Sequence, residues 1–315
     1  MAEVKISICI PSYKNLLFLE RLLNSIAVQT FSDYEVVITD DSPNTSVADY
    51  INEYSKIPNI RYFKNVPALG TPENWNEGIR RANGTWIKLM HDDDWFTTPT
   101  ALEMFYKASQ QNPNCSFFFS AFQNVMQNTS EVKVVRCNVF DRFFLSLSPL
   151  HLFKRVYIGN PSCTFIKRDV GLFYDKDFKF VVDFEYYIRC MNKLKRTKYI
   201  DDVLLNIGFN NDQVTKYTFL VAEVQIPENI ILLEKLGYSI LRNIVVYDYY
   251  WRMFRNLQMR KMEDVRKFYT GELHPILVQV IKLQSRISAD VLKKGFISKT
   301  LMGIGYVNSL FISVN

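Results

Sequence analysis

Three consecutive aspartates, Asp92, Asp93 and Asp94, directly follow the apolar run TWIKLM at residues 85–90. Carboxylates at this spacing repel one another unless solvent or a cation separates them. Mg²⁺ and Mn²⁺ are commonly held in proteins by one or two carboxylates together with the phosphates of a substrate. The stretch therefore indicates a divalent-cation site, and the alternatives are a solvated acidic loop or N-caps for the next helix.

Two further acidic pairs have residue types suited to recognition or proton transfer. Asp40 and Asp41 follow the apolar run YEVVIT, where a carboxylate can bind a base or a ribose; the alternative is a turn and helix cap. Asp183 and Glu185 lie two residues apart, so they do not share one helix face. We expect one of them to face a cleft as a general base while the other caps the helix. The alternative is an acidic pair favoured only by the helix dipole.

The chain around these aspartates alternates between strand and helix patterns over its first 90 residues. Predicted strands at residues 4–12, 34–42, 60–65 and 85–90 alternate with predicted helices at 16–29, 46–56 and 71–83. The third helix is predicted to have Thr71 as its N-cap, Pro72 at its first position and Gly84 past its end. The alternation is typical of a mostly parallel α/β sheet covered on both faces, in which ligands bind beyond the carboxyl ends of the strands. Both aspartate clusters are expected at that edge.

The pattern and the charge both change further along the chain. Residues 116–127 and 131–141 are predicted to be antiparallel strands, and a later helix places Asp183 in its first turn. From about residue 214 the apolar spacing is helical. Residues 1–213 carry 24 basic and 24 acidic side chains, whereas residues 214–315 carry 14 and 8 and supply the whole net charge of +6. The sequence therefore predicts a catalytic domain at 1–213 and a basic, mainly helical extension at 214–315.

Composition argues against several classes of protein. The five cysteines form no C-x-x-C pair and there are only three histidines, so a zinc site is not expected and a reducing compartment is favoured. The sequence shows neither a signal peptide nor an uncharged apolar run of 18 residues, and we expect a cytoplasmic protein. No nucleic-acid partner is expected, because the net charge is modest and no reading module is recognised.

Together, four stretches resemble the family 2 glycosyltransferases with the GT-A fold, over about residues 4–215. They are ISICIPSYKN, QTFSDYEVVITDDS, ALGTPENWNEGIRRANGTWIKLMHDDDW and VVDFEYYIR. The resemblance implies that Pro11 and Tyr13 line the nucleotide base and that Asp40 or Asp41 reads the base or ribose. It further implies that Asp92 lies nearer the ribose and sugar and that Asp93 ligates the cation within a D-x-D motif. By the same resemblance, Asp183 is the catalytic base and Arg189 is the arginine that often follows it.

Two positions depart from the family pattern. His91 stands where many members begin the acidic motif with aspartate, and because imidazole suits Mg²⁺ poorly it is assigned no ligand role. The segment NNDQVT has Asn210 where relatives often have histidine, although Gln213 and Thr215 are retained. A contact from that segment to the diphosphate or the metal is therefore in doubt.

The expected activity is inverting transfer of a sugar from a nucleotide diphosphate sugar, taken as a UDP-sugar, to an acceptor hydroxyl with the help of Mn²⁺ or Mg²⁺. The resemblance implies a glycan or lipid-linked acceptor in bacterial cell-surface polysaccharide synthesis. The basic tail, with lysines beside the apolar run of residues 293–314, suggests peripheral contact with the inner face of a membrane; packing on the core or on a second subunit, as in a homodimer, is the alternative.

Two other functions remain open from the sequence alone. A metal-dependent nucleotidyltransferase would also use paired aspartates, although the chain lacks a G-x-x-x-x-G-K-[ST] phosphate loop. A catalytically degenerate protein with the same fold could act as a binding partner or scaffold; loss of the metal aspartates or the base would favour that interpretation, and the chain keeps both.

Overall fold

A computed structural model describes residues 4–126, 129, 131–194, 196–209 and 220–313. Gln213 and Thr215, and Asn210 with them, lie outside the described residues. The predicted alternation at the start of the chain is confirmed. The strands are β1 (Ile6–Ser12), β2 (Tyr34–Asp40), β3 (Ile60–Lys64) and β4 (Trp86–Leu89), and the helices are α1 (Leu16–Ala27), α2 (Ser46–Glu53) and α3 (Glu73–Arg81).

These four strands form the parallel half of the sheet in the order β3-β2-β1-β4. The central strands β1 and β2 are buried apolar runs, as expected for strands covered on both faces. Helix α1 buries Leu19, Leu22, Leu23 and Ile26 completely, at the spacing of one helix face. Because all four strands run the same way, their carboxyl ends lie on one edge, where Asp40 and the acidic loop after β4 are found.

The predicted start of α3 was wrong. Thr71 is not the N-cap; Pro72 holds that position, makes no side-chain cap and is joined to Thr71 by a cis peptide bond. Gly84 is not the C-cap either, since the helix is capped at Ala82. Gly84 instead fits against β1, where an added Cβ would lie 2.5 Å from the Ser7 backbone nitrogen. Glycine is therefore needed at residue 84 because the backbone there packs directly against the backbone of β1.

The second half of the sheet is mixed in direction. It adds β5 (Trp95–Phe96), β6 (Phe117–Met126), β7 (Val132–Val135), β8 (Thr164–Lys167) and β9 (Lys198–Phe209), with the order β4-β8-β6-β9-β5 and β7 paired to β6. β8 runs antiparallel to both β4 and β6, while β6 and β9 are parallel. Helix α4 (Ala101–Gln111) connects β5 to β6.

The strand predicted at residues 131–141 is only partly correct. β7 pairs antiparallel with β6 as expected, but it ends at Val135, and Val139–Leu147 form helix α5. The local reason lies at Asn138, whose Oδ1 accepts from the Asp141 backbone N–H at 2.8 Å while its Nδ2 donates to the Asp141 carboxylate. An asparagine whose side chain accepts from the backbone N–H three residues further on is a helix N-cap signal.

Helix α6 (Val182–Lys193) carries Asp183 in its first turn, as predicted. The described residues after β9 are mainly helical, also as predicted. The helices are α7 (Ala222–Leu236), α8 (Ile244–Asn256), α9 (Met262–Arg266), α10 (Pro275–Ser285), α11 (Ala289–Lys293) and α12 (Gly295–Ser309). Within the described ranges, no helix is both long and apolar enough to cross a bilayer.

The chain divides into two compact units. The first runs from the N terminus to Leu147 and adds residues 157–176 and a segment from Val182 through β9. The second combines residues 148–156 and 177–181 with the described residues from 220 onward. The domain boundary predicted at 213/214 falls among residues that the structure does not describe.

Candidate active site

The acidic loop extends directly from β4 and is fixed by a tight turn. The Asp94 backbone N–H donates to the His91 carbonyl oxygen at 3.1 Å, and the His91 N–H donates to Ser162 Oγ at 2.9 Å. Lys88, fully buried within β4, points its ammonium group at the carbonyl oxygens of Ser162 and Thr164. Burial lowers the pKa of Lys88 to about 7. The strand β4 and the acidic loop after it are thus both attached to Ser162, in the segment that precedes β8.

Asp94 is the buried member of the acidic run. Its carboxylate accepts from Asn160 Nδ2 at 2.7 Å and from the Gly208 backbone N–H at 3.2 Å. Burial, and then the neighbouring charge of Asp93, raise the pKa of Asp94 well above its ordinary value. Asp94 therefore anchors the loop to the segment before β8 and to β9.

Among the described residues, His91, Asp93 and Asp94 form a cluster with the residue types of a metal site. One ligand atom from each lies within 4.8 Å of the other two. Nε2 of His91 is shielded from solvent and has no hydrogen-bond partner in the described part of the chain. A donor set of two carboxylates and an orphaned imidazole nitrogen fits a divalent cation. The structure thus brings His91 into the cluster, although the sequence analysis assigned it no ligand role.

Asp92 and Tyr13 meet at the rim of this cluster. The Tyr13 backbone N–H donates to Asp92 Oδ2 at 3.4 Å, and the Tyr13 side chain, 54% exposed, directly follows β1, two residues after the buried Pro11. Burial, and then the charge of Asp93, raise the pKa of Asp92 to about 7. The structure therefore brings together the residues predicted to contact the base and the ribose.

Asp40 and Asp41 are both buried, and each is held by donors from the protein. Asp40, at the end of β2, accepts from Tyr62, Lys64 and the Ser42 backbone N–H at 2.7–2.9 Å. Burial alone would raise the pKa of Asp40, but these hydrogen bonds outweigh it and lower that pKa.

Asp41 holds the loop that leads into α3. Its carboxylate accepts from Asn65 Nδ2 at 2.8 Å and from the backbone N–H groups of Leu69 and Gly70 at 3.0 and 2.7 Å. Both carboxylates thus already bind donors of the protein itself.

Asp183 lies at the start of α6, where its Oδ1 accepts the Phe184 backbone N–H at 2.7 Å. Burial raises the pKa of Asp183 to about 6. One turn further along, the Tyr187 hydroxyl donates to the Gly159 carbonyl oxygen at 3.1 Å. The Cys163 thiol is close enough to both Asp94 and Asp183 for their charges to raise its pKa, after burial as the main cause. Residues 159–163 therefore bridge the acidic loop and the helix of Asp183.

Glu185 and Arg189 bind each other instead of facing an open cleft. The Arg189 guanidinium donates to both carboxylate oxygens of Glu185 and to the Phe173 carbonyl oxygen. Glu185 is buried, so the pair ties α6 to the segment before it. Glu185 is thus occupied by Arg189, and Asp183 is the acidic residue of α6 that lies close to residues 159–163.

The sequence analysis missed two supporting residues. Asn160 lies in a stretch to which the sequence analysis assigns no role, 66 positions from the Asp94 carboxylate that it binds. Arg21 was counted only within a helix, yet it donates to the Asp93 carbonyl oxygen at 2.6 Å and lies over the Trp95 ring at 3.7 Å. Neither residue carries a local pattern that signals its partner.

Comparison with known proteins identifies the class. The model of glycosyl transferase family 2 matches residues 7–171, more than half of the chain. The chain belongs to this family. The first curated relatives align over 40%, 63% and 67% of their own lengths and are at most 32% identical to this chain.

One named relative and two solved structures are informative. A GalNAc(5)-diNAcBac-PP-undecaprenol beta-1,3-glucosyltransferase of Campylobacter jejuni is 27% identical over 108 residues, which cover 34% of this chain and 35% of the relative. S. aureus TarS 1-349 in complex with UDP-GlcNAc has a TM-score of 0.59 at 14% identity, covering 90% of each chain. The mannosyltransferase PcManGT from Pyrobaculum calidifontis, in complex with GDP-Man and Mn²⁺, has a TM-score of 0.56 at 13% identity, covering 98% of this chain and 87% of that one. These likenesses establish the GT-A fold.

Proposed function

We propose that this chain is an inverting glycosyltransferase that moves a sugar from a UDP-sugar to an acceptor hydroxyl and requires a divalent cation. The observation that carries the proposal is the bridging segment 159–163. Its Asn160 binds Asp94 of the acidic loop, and its Gly159 accepts from Tyr187 on the helix of Asp183. The proposed cation site and the Asp183 carboxylate are thereby both positioned by residues 159–163. Single-displacement glycosyl transfer needs the cation and the base to be held in a defined geometry.

The donor is proposed to bind across the carboxyl ends of β1, β2 and β4. The exposed Tyr13 ring offers a face for the base, and Asp92 lies beside its backbone for the ribose or sugar. Asp40 and Asp41 shape the wall of this pocket by holding Lys64 and the loop at Leu69 and Gly70. UDP is proposed as the nucleotide, as in the TarS complex with UDP-GlcNAc, and GDP, as in the PcManGT complex with GDP-Man, is the competing donor nucleotide.

The chemical step follows from the positions of Asp93 and Asp183. Asp93, with Asp94 beside it, would hold Mn²⁺ or Mg²⁺, which supplies charge stabilisation to the departing diphosphate. The acceptor hydroxyl gives its proton to Asp183 while its oxygen bonds to the anomeric carbon. The bond from that carbon to the phosphate oxygen breaks, and its electron pair leaves with UDP. One displacement from the opposite face inverts the anomeric centre, without the covalent intermediate of retaining glycosidases.

The acceptor is proposed to be a lipid-linked glycan of a bacterial cell-surface polysaccharide. The name of the C. jejuni relative includes undecaprenol, which supports a polyprenyl-linked acceptor. We accordingly propose a cytoplasmic location against the inner face of the membrane, where such acceptors are presented.

The membrane contact is proposed to be made by α12 in the second unit. Its buried face consists of Ser298, Met302, Gly305 and Ser309, whereas Phe296, Ile304, Val307 and the following Phe311 are exposed, Phe296 and Phe311 by 86% and 87%. The exposed face of α12 is thus apolar and its buried face is mainly small or polar, an arrangement that suits a helix lying in a bilayer interface. Residues 214–315 carry 14 basic and 8 acidic side chains, and this positive excess favours an anionic leaflet as the surface that covers this face.

The activity is tested by measuring UDP release from a panel of UDP-sugars, with a polyprenyl-linked glycan and with water as acceptors, with and without Mn²⁺. We expect release that requires metal and is stimulated by the glycan. Asp93→Asn should abolish it, while Glu53→Gln, an exposed carboxylate on α2, serves as the matched control. Release of UDP at the same rate with EDTA would contradict the metal dependence. Absence of release from any sugar nucleotide would favour the scaffold alternative.

A further inference from the structure

We propose that His91 contributes a ring nitrogen to the cation site beside Asp93 and Asp94, and that this nitrogen makes the site bind Mn²⁺ in preference to Mg²⁺. The inference rests on the proposed function, since it concerns the metal of the same site. It assigns a role to the position at which this chain departs from the acidic motif of its family.

The spacing of the three side chains fits a single ion. Their ligand atoms lie within 4.8 Å of one another. Two ligands that each lie about 2.1–2.2 Å from one ion are about 4.2–4.4 Å apart at most. Adjacent ligands of an octahedral ion lie only about 3.0 Å apart, so the 4.8 Å limit leaves each pair within about 2 Å of the distance that a shared cation needs, a gap that side-chain rotation can close.

One ring nitrogen of His91 is buried without a partner among the described residues. Nε2 is shielded from solvent, and none of the described residues provides it with a hydrogen bond. Buried polar atoms are rarely left without a partner unless a water or an ion occupies the position. The orphaned nitrogen is thus a second observation, independent of the acidic residues, that points to a bound cation.

The His91 ring is also held in place. Its backbone N–H donates to Ser162 Oγ at 2.9 Å, and its ring packs against Trp75 of α3 with the ring centres 4.6 Å apart. Asp94 is fixed in turn by Asn160 and the Gly208 N–H. Ligands held by such outer contacts need little rearrangement when metal binds.

The preference for Mn²⁺ follows from ligand chemistry. Mg²⁺ is a hard ion that selects oxygen ligands, whereas imidazole suits the transition metals. Replacing one carboxylate of an acidic motif by imidazole therefore weakens Mg²⁺ binding more than Mn²⁺ binding. Among transition ions, affinity for a site with a nitrogen ligand rises from Mn²⁺ to Co²⁺.

The test is pulsed electron paramagnetic resonance on the full chain with Mn²⁺ and UDP. A directly bound imidazole modulates the Mn²⁺ echo through its ¹⁴N nucleus, so the wild-type spectrum alone is informative. The chain has only two other histidines, His151 and His274. We expect ¹⁴N modulation in the wild type, in His151→Gln and in His274→Asn, and its loss in His91→Asp and His91→Asn with Mn²⁺ still bound.

Competition between Mn²⁺ and Mg²⁺ provides a second readout. The wild type should bind Mn²⁺ at least tenfold more tightly than Mg²⁺, and His91→Asp should reduce that ratio about tenfold. Bound Mn²⁺ without ¹⁴N modulation in the wild type would overturn the role of His91 and leave the proposed function intact. Failure of the wild type both to bind Mn²⁺ and to release UDP from a sugar nucleotide would overturn both proposals.

Discussion

At the scale of single residues, Asp183 has the properties of a general base that works near neutral pH. Its backbone hydrogen bond from Phe184 fixes the carboxylate at the start of α6, and burial raises its pKa to about 6. A carboxylate with that pKa is ionised at pH 7 and is still more basic than an ordinary aspartate. Glu185 cannot replace it, because both of its oxygens accept from Arg189.

Asp183→Asn is expected to reduce transfer by about 10²–10⁴-fold, because the amide cannot accept the acceptor proton. Binding of UDP with Mn²⁺ should change little, since the cation cluster is untouched. Transfer rates are compared with nucleotide affinities from titration calorimetry, with Asp177→Asn as the matched control at an exposed aspartate. Turnover above a few per cent of the wild type would contradict the assignment of the base.

The pH dependence is a separate expectation with a defined sign. Asp183 must be deprotonated to act, so kcat/KM should fall about tenfold per pH unit below about pH 6 and level off above it. Initial rates between pH 5 and pH 8 at saturating Mn²⁺ measure this profile. A rate independent of pH over that range would contradict a base with a raised pKa.

At the scale of elements, the bridging segment 159–163 determines how the two halves of the site meet. Gly159 has φ +84°, and an added Cβ would lie 2.6 Å from the Phe122 ring and 2.8 Å from Cys163 Sγ. Gly171 has a similar φ of +62°, but its nearest neighbour would lie 3.8 Å away. Both glycines have a positive φ, and they differ in the space around them.

Gly171→Ala should therefore lower the free energy of unfolding by about 1–2 kcal/mol, the cost of a left-handed residue with a side chain. Gly159→Ala should lower it by about 1–3 kcal/mol more, because the new methyl group is overpacked. It should also weaken Mn²⁺ binding, since Asn160 moves away from Asp94. Urea unfolding and metal titration measure both effects. Equal stabilities of the two variants would contradict the packing described for this segment.

Sequence patterns could predict the parallel half of the sheet and the acidic edge because both depend on local periodicity. The runs that became β1, β2 and β4 are apolar and end at polar residues, and α1 repeats its apolar residues at helical spacing. The second half could not be predicted as well. The helix start at Asn138 was hidden within a run rich in valine and phenylalanine, and the approach of Asn160 to Asp94 depends on a pairing of β4 with β8 that no local pattern encodes.

At the scale of the whole molecule, the charge and the apolar surface are unevenly distributed. The excess of basic residues lies in residues 214–315, most of which belong to the second unit. In that unit α12 is held through its polar side, where Trp251 donates to Ser298 Oγ at 3.1 Å and Tyr306 donates to the Arg242 carbonyl oxygen at 2.6 Å. These contacts leave the apolar side of the helix exposed in a firmly packed structure.

The double variant Phe296→Ser/Phe311→Ser is expected to weaken binding to anionic vesicles at least tenfold without loss of stability, since both side chains are exposed. Co-sedimentation with phosphatidylglycerol vesicles measures binding, and phosphatidylcholine vesicles test the contribution of charge. Leu17→Ser/Val66→Ser, at two apolar residues of the first unit that are 77% and 86% exposed, is the control. Absence of sedimentation of the wild type with vesicles at low salt would contradict membrane contact. If the wild type is a dimer that the double variant dissociates, a second copy of the chain, and not a membrane, covers the exposed face of α12.

The central claim is a nucleotide-sugar site that depends on a divalent cation, and thermal unfolding with UDP, dTDP, GDP or CMP, each with and without Mn²⁺, tests it most directly. A ligand that binds only the native state adds RT ln(1 + [L]/Kd) to its stability, about 2.7 kcal/mol at a hundredfold excess over Kd. We expect UDP to raise the Tm by about 5 °C or more with Mn²⁺ and to have little effect without it or in Asp93→Asn. Absence of a shift with every nucleotide, or an equal shift without metal, would contradict the claim.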